Sequence, residues 1–541
     1  MRGVRAGLVG LGVALTAFLV YSPVLSNPFV NADDRWLFSS PVIREGRLSA
    51  MVLPRPDRAG YMPAGYMILA GVYRAGRAQL KPFHLASLLL HAANSGMLFF
   101  LLLSLMRNAT GDSEKMDPGR LASAALAAVF FAVHPIQAEA IAVASSLSDL
   151  AAAFFALASV IMYVRAAGGG TGPARRRLLG ASIALAAVSG LTRWTGAGLA
   201  AVFLILDAYP LRRFDRRTLL EKIPFVLVGA VVIALNSYAK MSPSTVGGVH
   251  ALAFRPGGVA AGVVFYVWKW LVPGEYSLYY ILDRPSELMG LPVWGCAVLA
   301  LASAALLVRV RRRAPAALAS FGIYLVVLAP VLLATNNGWV LAHNRYAYQA
   351  GMALAGAAAA GLLVAWRRRP GNPGSLGPFA VLAAFCALLG AQSWALAGQW
   401  HDKSRHWAET LSTDPDAFFA FNKLGEEMLR RKDYGSAVQQ FRDRLDDHPE
   451  DEHARRRLAE YEPLLEAYDL NDRGVVLVRG GELEAAAAHF RRAIVVKPDL
   501  FIPYKNLAAV LRRQGRAAEA EEFAERARRL ELRGSRARKA P

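Results

Sequence analysis

Two adjacent acids, Asp33 and Asp34, follow the first apolar run of the chain, Gly7 to Leu25. That run has the length of one bilayer crossing, roughly 20 residues. The pair therefore falls where a membrane span would meet water. Carboxylates at that level suit general-base work on an acceptor in the aqueous space, with a lipid-borne substrate arriving from the bilayer. Two neighbouring carboxylates repel when both are ionised, which makes one of them the more basic. A helix cap or a solvated loop would carry the same two residues.

Composition sets the elements that must position such a pair. The 541 residues are 55% hydrophobic, with a mean hydropathy of +0.29, and the apolar residues fall in long uninterrupted runs. The net charge of +21 would suit a nucleic-acid partner, but the cations sit at segment ends. Arg175-Arg176-Arg177, Arg212-Arg213 with Arg216-Arg217, Arg309 to Arg313 and Arg367-Arg368-Arg369 form a positive-inside pattern beside lipid headgroups. Cys296 and Cys386 both lie in apolar runs, which points to neither a disulfide framework nor a metal site. Met1 to Ala6 is basic and no small-residue cleavage site follows Leu25, so the first span reads as uncleaved.

The positive-inside rule yields a polytopic helical domain, 1–400, with about eleven spans and a cytoplasmic N-terminus. It has a large first outer loop at 26–82, in which Tyr61 to Tyr73 is amphipathic. Outer turns are expected at His134-Pro135, at Thr192-Arg193 and over Asn336 to Arg345. Keeping Arg309 to Arg313 inside requires Gly257 to Tyr280 to be a re-entrant or interfacial hairpin broken at Pro273-Gly274. The aromatic cluster Tyr266, Trp268, Trp270, Tyr276, Tyr279 and Tyr280 reads as its interfacial belt. His84 and His91, seven residues apart on one helical face beside Asn94, suit interhelical hydrogen bonding better than a metal.

After a linker at 401–415 the chain changes character. Leu470, Gly474, Gly481, Ala486 and Ala493 recur 34 residues later as Tyr504, Ala508, Gly515, Ala520 and Ala527. An earlier copy, with Gly425, Tyr434, Ala437 and Phe441, lies 49 residues upstream, one period plus an insertion around Glu452 to Tyr468. This period is the tetratricopeptide pattern, and 416–535 reads as a soluble α-solenoid of helix pairs, with a basic tail at 536–541. The repeats would lie on the periplasmic side, like the first loop.

Several stretches then combine into a resemblance. They are Asn31-Ala32-Asp33-Asp34, Tyr61-Met62-Pro63, Lys81-Pro82-Phe83-His84-Leu85 with Leu90-His91-Ala92, Phe131 to Ala140 around His134-Pro135, and Asn344-Arg345-Tyr346-Ala347-Tyr348. With them the chain resembles the GT-C glycosyltransferases, and in its whole arrangement the transmembrane and tetratricopeptide-repeat O-mannosyltransferases and their bacterial relatives. Two positions depart from that family's usual pattern: Met62, where Tyr-Arg-Pro is usual, and Arg193-Trp194, where Lys-Glu is common.

The resemblance implies a fold that is all-α, a GT-C-like membrane domain followed by the repeat solenoid. It also implies an inverting transfer of a mannose-like hexose from a polyprenyl-phosphate donor to a protein acceptor on the outer face of a bacterial inner membrane. Asp33 or Asp34 would be the base. Arg345 and Arg193, at outer span boundaries, would hold the leaving lipid phosphate, which a guanidinium matches bidentately, although snorkelling arginines would sit there too. His134 would orient the donor or cap its span. Glu139, Tyr61 and Tyr346 would line the substrate cavity. No dedicated metal ligands are evident, and a divalent ion remains an open addition. A non-catalytic scaffold whose repeats assemble an envelope complex is the alternative.

Overall fold

A computed structural model describes residues 2–27, 37–54, 60–111, 117–169, 172–239, 250–274, 276, 280–281, 291–335, 340–368, 374, 376–399, 407–408, 411 and 418–539. Asp33, Asp34, Tyr279 and most of the expected linker lie outside these residues. The chain divides into two compact units, Met1–Asp402 and Lys403–Pro541.

The first unit is helical because apolar solvent leaves backbone N–H and C=O groups no other partners. It opens with α1 (Arg2–Tyr21), and the first loop contributes α2 (Pro41–Glu45), α3 (Leu48–Val52) and α4 (Pro63–Ala75). Next come α5 (Lys81–Thr110), α6 (Pro118–Ala132), α7 (Ala138–Ala142), α8 (Leu147–Gly168) and α9 (Pro173–Thr192). They are followed by α10 (Leu199–Ala208), α11 (Arg216–Leu220), α12 (Ile223–Ala239) and α13 (His250–Leu271). The last are α14 (Leu291–Arg309), α15 (Pro315–Thr335), α16 (Ala347–Arg368) and α17 (Gly377–Gln399). Proline in the first turn starts α4, α5, α6 and α9, where its missing N–H costs nothing. His134, extended ahead of Pro135, breaks the path of α6 into α7 and bends it by 49°.

Seven of these helices are long and apolar enough to cross a membrane, or eight counting the bent pair as one. The expected figure of about eleven is not reached among the described residues. Trp194–Ala208, Gly258–Leu271 and Trp294–Arg309 are apolar but short. The first and third fall in stretches that hydropathy counts as crossings, whereas Gly258–Leu271 belongs to the expected re-entrant hairpin. The described elements are helical, as an all-α class requires, apart from one short ladder in which β1 (Tyr280–Ile281) pairs antiparallel with β2 (Val340–Ala342). The expected break at Pro273-Gly274 is where α13 stops, but the described partner beyond it is this ladder.

Polar groups knit the spans together. Ser159 and Ser182 each donate to the other's carbonyl, at 2.7 and 2.9 Å, and Ser189 Oγ donates to Ala152 O at 2.9 Å. Those pairings fix α8 and α9 as antiparallel neighbours in close contact. His91 takes the interhelical role expected of it, bonding the Tyr348 hydroxyl and Ala132 O, each at 2.9 Å. Asn94 donates to Leu150 O and to the same hydroxyl. The aromatic cluster is a correction: Tyr266, Trp270 and Tyr276 are buried packing residues, and Trp268 alone of the described members is exposed. A methyl at Gly351 would stand 1.9 Å from the Trp270 ring, so α16 admits only glycine there. In the first loop, α4 lies on a core of its own, with Leu37, Ile43 and Met51 packed against Tyr66, Leu69, Phe83 and Leu147.

The second unit consists of three successive helix pairs. They are α18 (Phe418–Arg430) with α19 (Tyr434–Asp447), α20 (Glu452–Arg479) with α21 (Leu483–Val496), and α22 (Phe501–Arg513) with α23 (Ala517–Lys539). The insertion that stretched the repeat period is helical and continuous with α20, which runs for 28 residues. Small residues admit rings at the contacts: a methyl on Gly425 would meet Phe441 at 2.5 Å, and one on Gly474 would meet Phe490 at 2.6 Å. We expect Gly474→Ala to destabilise this unit by about 1–3 kcal/mol through overpacking. Gly435→Ala, whose methyl would meet nothing within 4 Å, should be neutral or stabilising. Hydrogen-exchange protection across α20 and α21 reads the difference.

Candidate active site

The antiparallel run of α8 and α9 puts the start of one helix beside the end of the other. The first turn of α8 carries Asp149, an acid favoured there by the helix dipole. Just past α9 the backbone of Arg193 is extended, and its Nε lies 2.9 Å from Asp149 Oδ1. Arg193 Nη1 also reaches Met62 Sδ at 3.6 Å. Met62 and Arg193, the two departures from the pattern of the resembling family, thus touch one another.

A second acid–arginine pair stands nearby. The bend after α6 places Glu139 on α7 with 1% of its side chain exposed. The single turn Asn344–Tyr346 precedes α16 and brings Arg345 to it. Arg345 N donates to Glu139 Oε2 at 3.2 Å, and Arg345 Nε lies 3.6 Å from Oε1. His343 Nδ1 is 3.8 Å from the same oxygen. The turn is held from behind, because the Tyr266 hydroxyl donates to His343 O at 2.9 Å and the Tyr280 hydroxyl to Asn344 Oδ1 at 3.1 Å. The Arg345 guanidinium carbon stands 5.5 Å from the centre of the Tyr346 ring.

One member of each pair, Asp149 and Arg345, lines a small cleft of about 10 Å³, room for a single water, whose polar lining also includes Thr195, Tyr346, Tyr348 and Gln349. Asp149 Oδ2 and Thr195 Oγ1 are buried with no hydrogen-bond partner among the described residues. Buried oxygens in that state call for a donor from a ligand or water. Among the described residues, no group of three or more His, Cys, Asp or Glu side chains is placed to hold a metal ion.

Of the residues singled out in the sequence, Arg345 and Tyr346 line this cleft, and Arg193 and Glu139 stand behind it, paired with its lining residues Asp149 and Arg345. His134 and Tyr61 do neither. His134 is fully buried, stacked on Trp270 at 4.0 Å, with Nδ1 accepting from Ile136 N and Nε2 facing Trp270 O at 3.2 Å. Of its two readings, the cap is the one with partners. Tyr61 donates its hydroxyl to Val52 O at 2.8 Å, and its backbone N donates to Asn236 Oδ1 at 3.2 Å. The general-base pair, Asp33 and Asp34, lies outside the described residues.

Sequence reasoning missed Asp149, Thr195 and His343. Asp149 had a signal: a lone acid at the mouth of an apolar helix is expensive unless it has a task or a partner.

No family model and no curated protein matches this chain. Among solved structures it is similar to the archaeal oligosaccharyltransferase AglB from Archaeoglobus fulgidus, solved in complex with an inhibitory peptide and a dolichol-phosphate. The TM-score is 0.36 and the identity 13%, over 74% of this chain and 57% of that one. This chain thus spans little more than half the length of that protein.

Removing the Glu139 carboxylate takes away the acceptor of Arg345 N and the charge beside its guanidinium. Glu139→Ala should therefore destabilise the first unit by about 3 kcal/mol, with Glu139→Gln intermediate because its amide oxygen still accepts from Arg345 N. Thermal melting in detergent, with exchange rates over residues 343–346, checks the order.

Proposed function

We propose that this chain is a membrane glycosyltransferase of GT-C type. It would move a mannose-like hexose from a polyprenyl-phosphate donor to a protein acceptor on the side of the membrane opposite the arginine-rich loops. One observation carries the reading. Arg345 lines a cleft at one end of the bundle together with Asp149, the carboxylate that pairs with Arg193, so two arginines distant in sequence stand at the same end. The arginine cluster that starts α9 lies at the other end, because α8 and α9 run antiparallel.

In this reaction the acceptor oxygen forms a bond to the anomeric carbon from one face as the bond to the phosphate oxygen breaks on the other. A carboxylate of Asp33 or Asp34 takes the acceptor proton, and the lipid phosphate leaves onto the two guanidinium groups. Their partners Asp149 and Glu139 orient them, so that fixed N–H dipoles face the charge that develops. The unpaired Asp149 Oδ2 and Thr195 Oγ1 are suited to sugar hydroxyls. The repeat unit, read as tetratricopeptide-like, would present the acceptor.

The test is transfer by the purified full chain from a polyprenyl-phosphate hexose to envelope protein, read by intact-mass glycoproteomics. Asp33→Asn with Asp34→Asn should lower the rate on the order of 100-fold or more if the base is lost. Arg345→Met should cost a comparable amount, since guanidinium stabilisation of a leaving phosphate is of that order. Unchanged glycans with well-folded variants would end the transferase reading in favour of the scaffold.

A further inference from the structure

At the opposite end of the same helices lies a second cluster that the transferase reading does not use. Tyr163 from α8, Asp207 from α10 and Lys222 at the start of α12 form a buried knot. Lys222 Nζ is 2.5 Å from Asp207 Oδ2, and the Tyr163 hydroxyl donates to that oxygen at 2.6 Å. Arg213 Nε binds Asp207 Oδ1 at 2.8 Å, and its guanidinium also approaches Glu221 at 3.7 Å. Arg175 from α9 reaches the same glutamate at 2.5 Å, and Arg217 at 4.0 Å. Asp215 caps α11 reciprocally with Thr218, at 2.7 and 3.0 Å. The loop from Tyr209 to Lys222 is therefore fixed in place.

Its charge does not balance. Four cations (Arg175, Arg213, Arg217 and Lys222) face three anions (Asp207, Asp215 and Glu221), an excess of one. Around them Arg176, Arg177, Arg212 and Arg216 are exposed. Arg212 sits at φ 51°, a left-handed conformation that a residue with a side chain adopts at some strain. Beside these cations Phe214, Leu219, Leu220 and Ile223 expose 66%, 43%, 53% and 49% of their surface. Cations in excess, next to large apolar side chains at the ends of membrane-length helices, match a molecule with an anionic head and an apolar body.

We infer that this surface binds the phosphodiester headgroup of an anionic phospholipid, with Phe214, Leu219, Leu220 and Ile223 set among the acyl chains. The inference is independent of the transferase reading and goes beyond the positive-inside bias, which needs only scattered cations. Here a rigid loop presents a concentrated site, and each arginine near such a surface adds substantially to its affinity for acidic lipid.

The full chain is reconstituted in nanodiscs of phosphatidylcholine containing phosphatidylglycerol, then stripped mildly, and retained lipid is counted by native mass spectrometry. The wild type should keep phosphatidylglycerol over phosphatidylcholine. Arg212→Gln with Arg216→Gln, both outside the buried knot, should retain on the order of tenfold less. Arg212→Lys with Arg216→Lys should restore most of it and controls for folding. Equal retention by wild type and glutamine variant overturns the proposal. So does displacement of the lipid by millimolar inorganic phosphate, which would mark a site for free anions instead.

Discussion

The cleft end of the membrane unit depends on one buried carboxylate. Glu139 accepts from the backbone N–H of Arg345 and stands beside its guanidinium, with 1% of its side chain exposed. A charge that deep cannot be left without its partner, so the turn that carries Arg345 cannot drift from α7 without a large loss of stability. The bend that brings Glu139 inward follows from Pro135 and the extended residue before it. A proline in the sequence thereby sets the position of an arginine more than 200 residues later.

The same physics separates the two ends of the bundle. A helix of 22 residues such as α8 is about 33 Å long, close to the thickness of a bilayer's hydrocarbon core. Serine pairs hold α9 against it in antiparallel register. Asp149 and Arg193 must then meet at one end, while Arg175 is carried to the other. Buried charge is tolerated at both because each group finds partners on neighbouring helices.

Much of this was legible in the chain itself, for identifiable reasons. The 34-residue recurrence is legible because a small residue, Gly474 or Ala508, stands at the helix contact of successive pairs, and at Gly474 a phenylalanine ring enters. Arg345 and Glu139 stood out through the stretches that carry the family resemblance, and Arg193 as a departure from its pattern at an outer span boundary. Asp149 was passed over as part of a span, since one acid barely lowers the hydropathy of a long apolar segment. Fewer spans stand among the described residues than hydropathy suggests, because hydropathy registers apolar character and not helix length, as Trp194–Ala208 shows. His134 could not be decided in advance, because a cap and a ligand-binding histidine look the same at a helix boundary. The aromatic cluster misled for a related reason: periodicity does not reveal which ring a glycine such as Gly351 will admit to the interior.

The two ends also offer an anion different terms. At the cleft each arginine already faces a carboxylate, Arg193 with Asp149 and Arg345 with Glu139, so the two pairs together carry no net charge. Those two pairs contribute little long-range attraction. Selectivity at the cleft has to come from fixed N–H directions and exclusion of water, which act most strongly on charge that develops during a reaction. At the far end cations outnumber anions and several remain exposed, which favours a standing anion and weakens with salt. Balanced pairs suit a phosphate that arrives and must depart, whereas surplus charge suits one that stays.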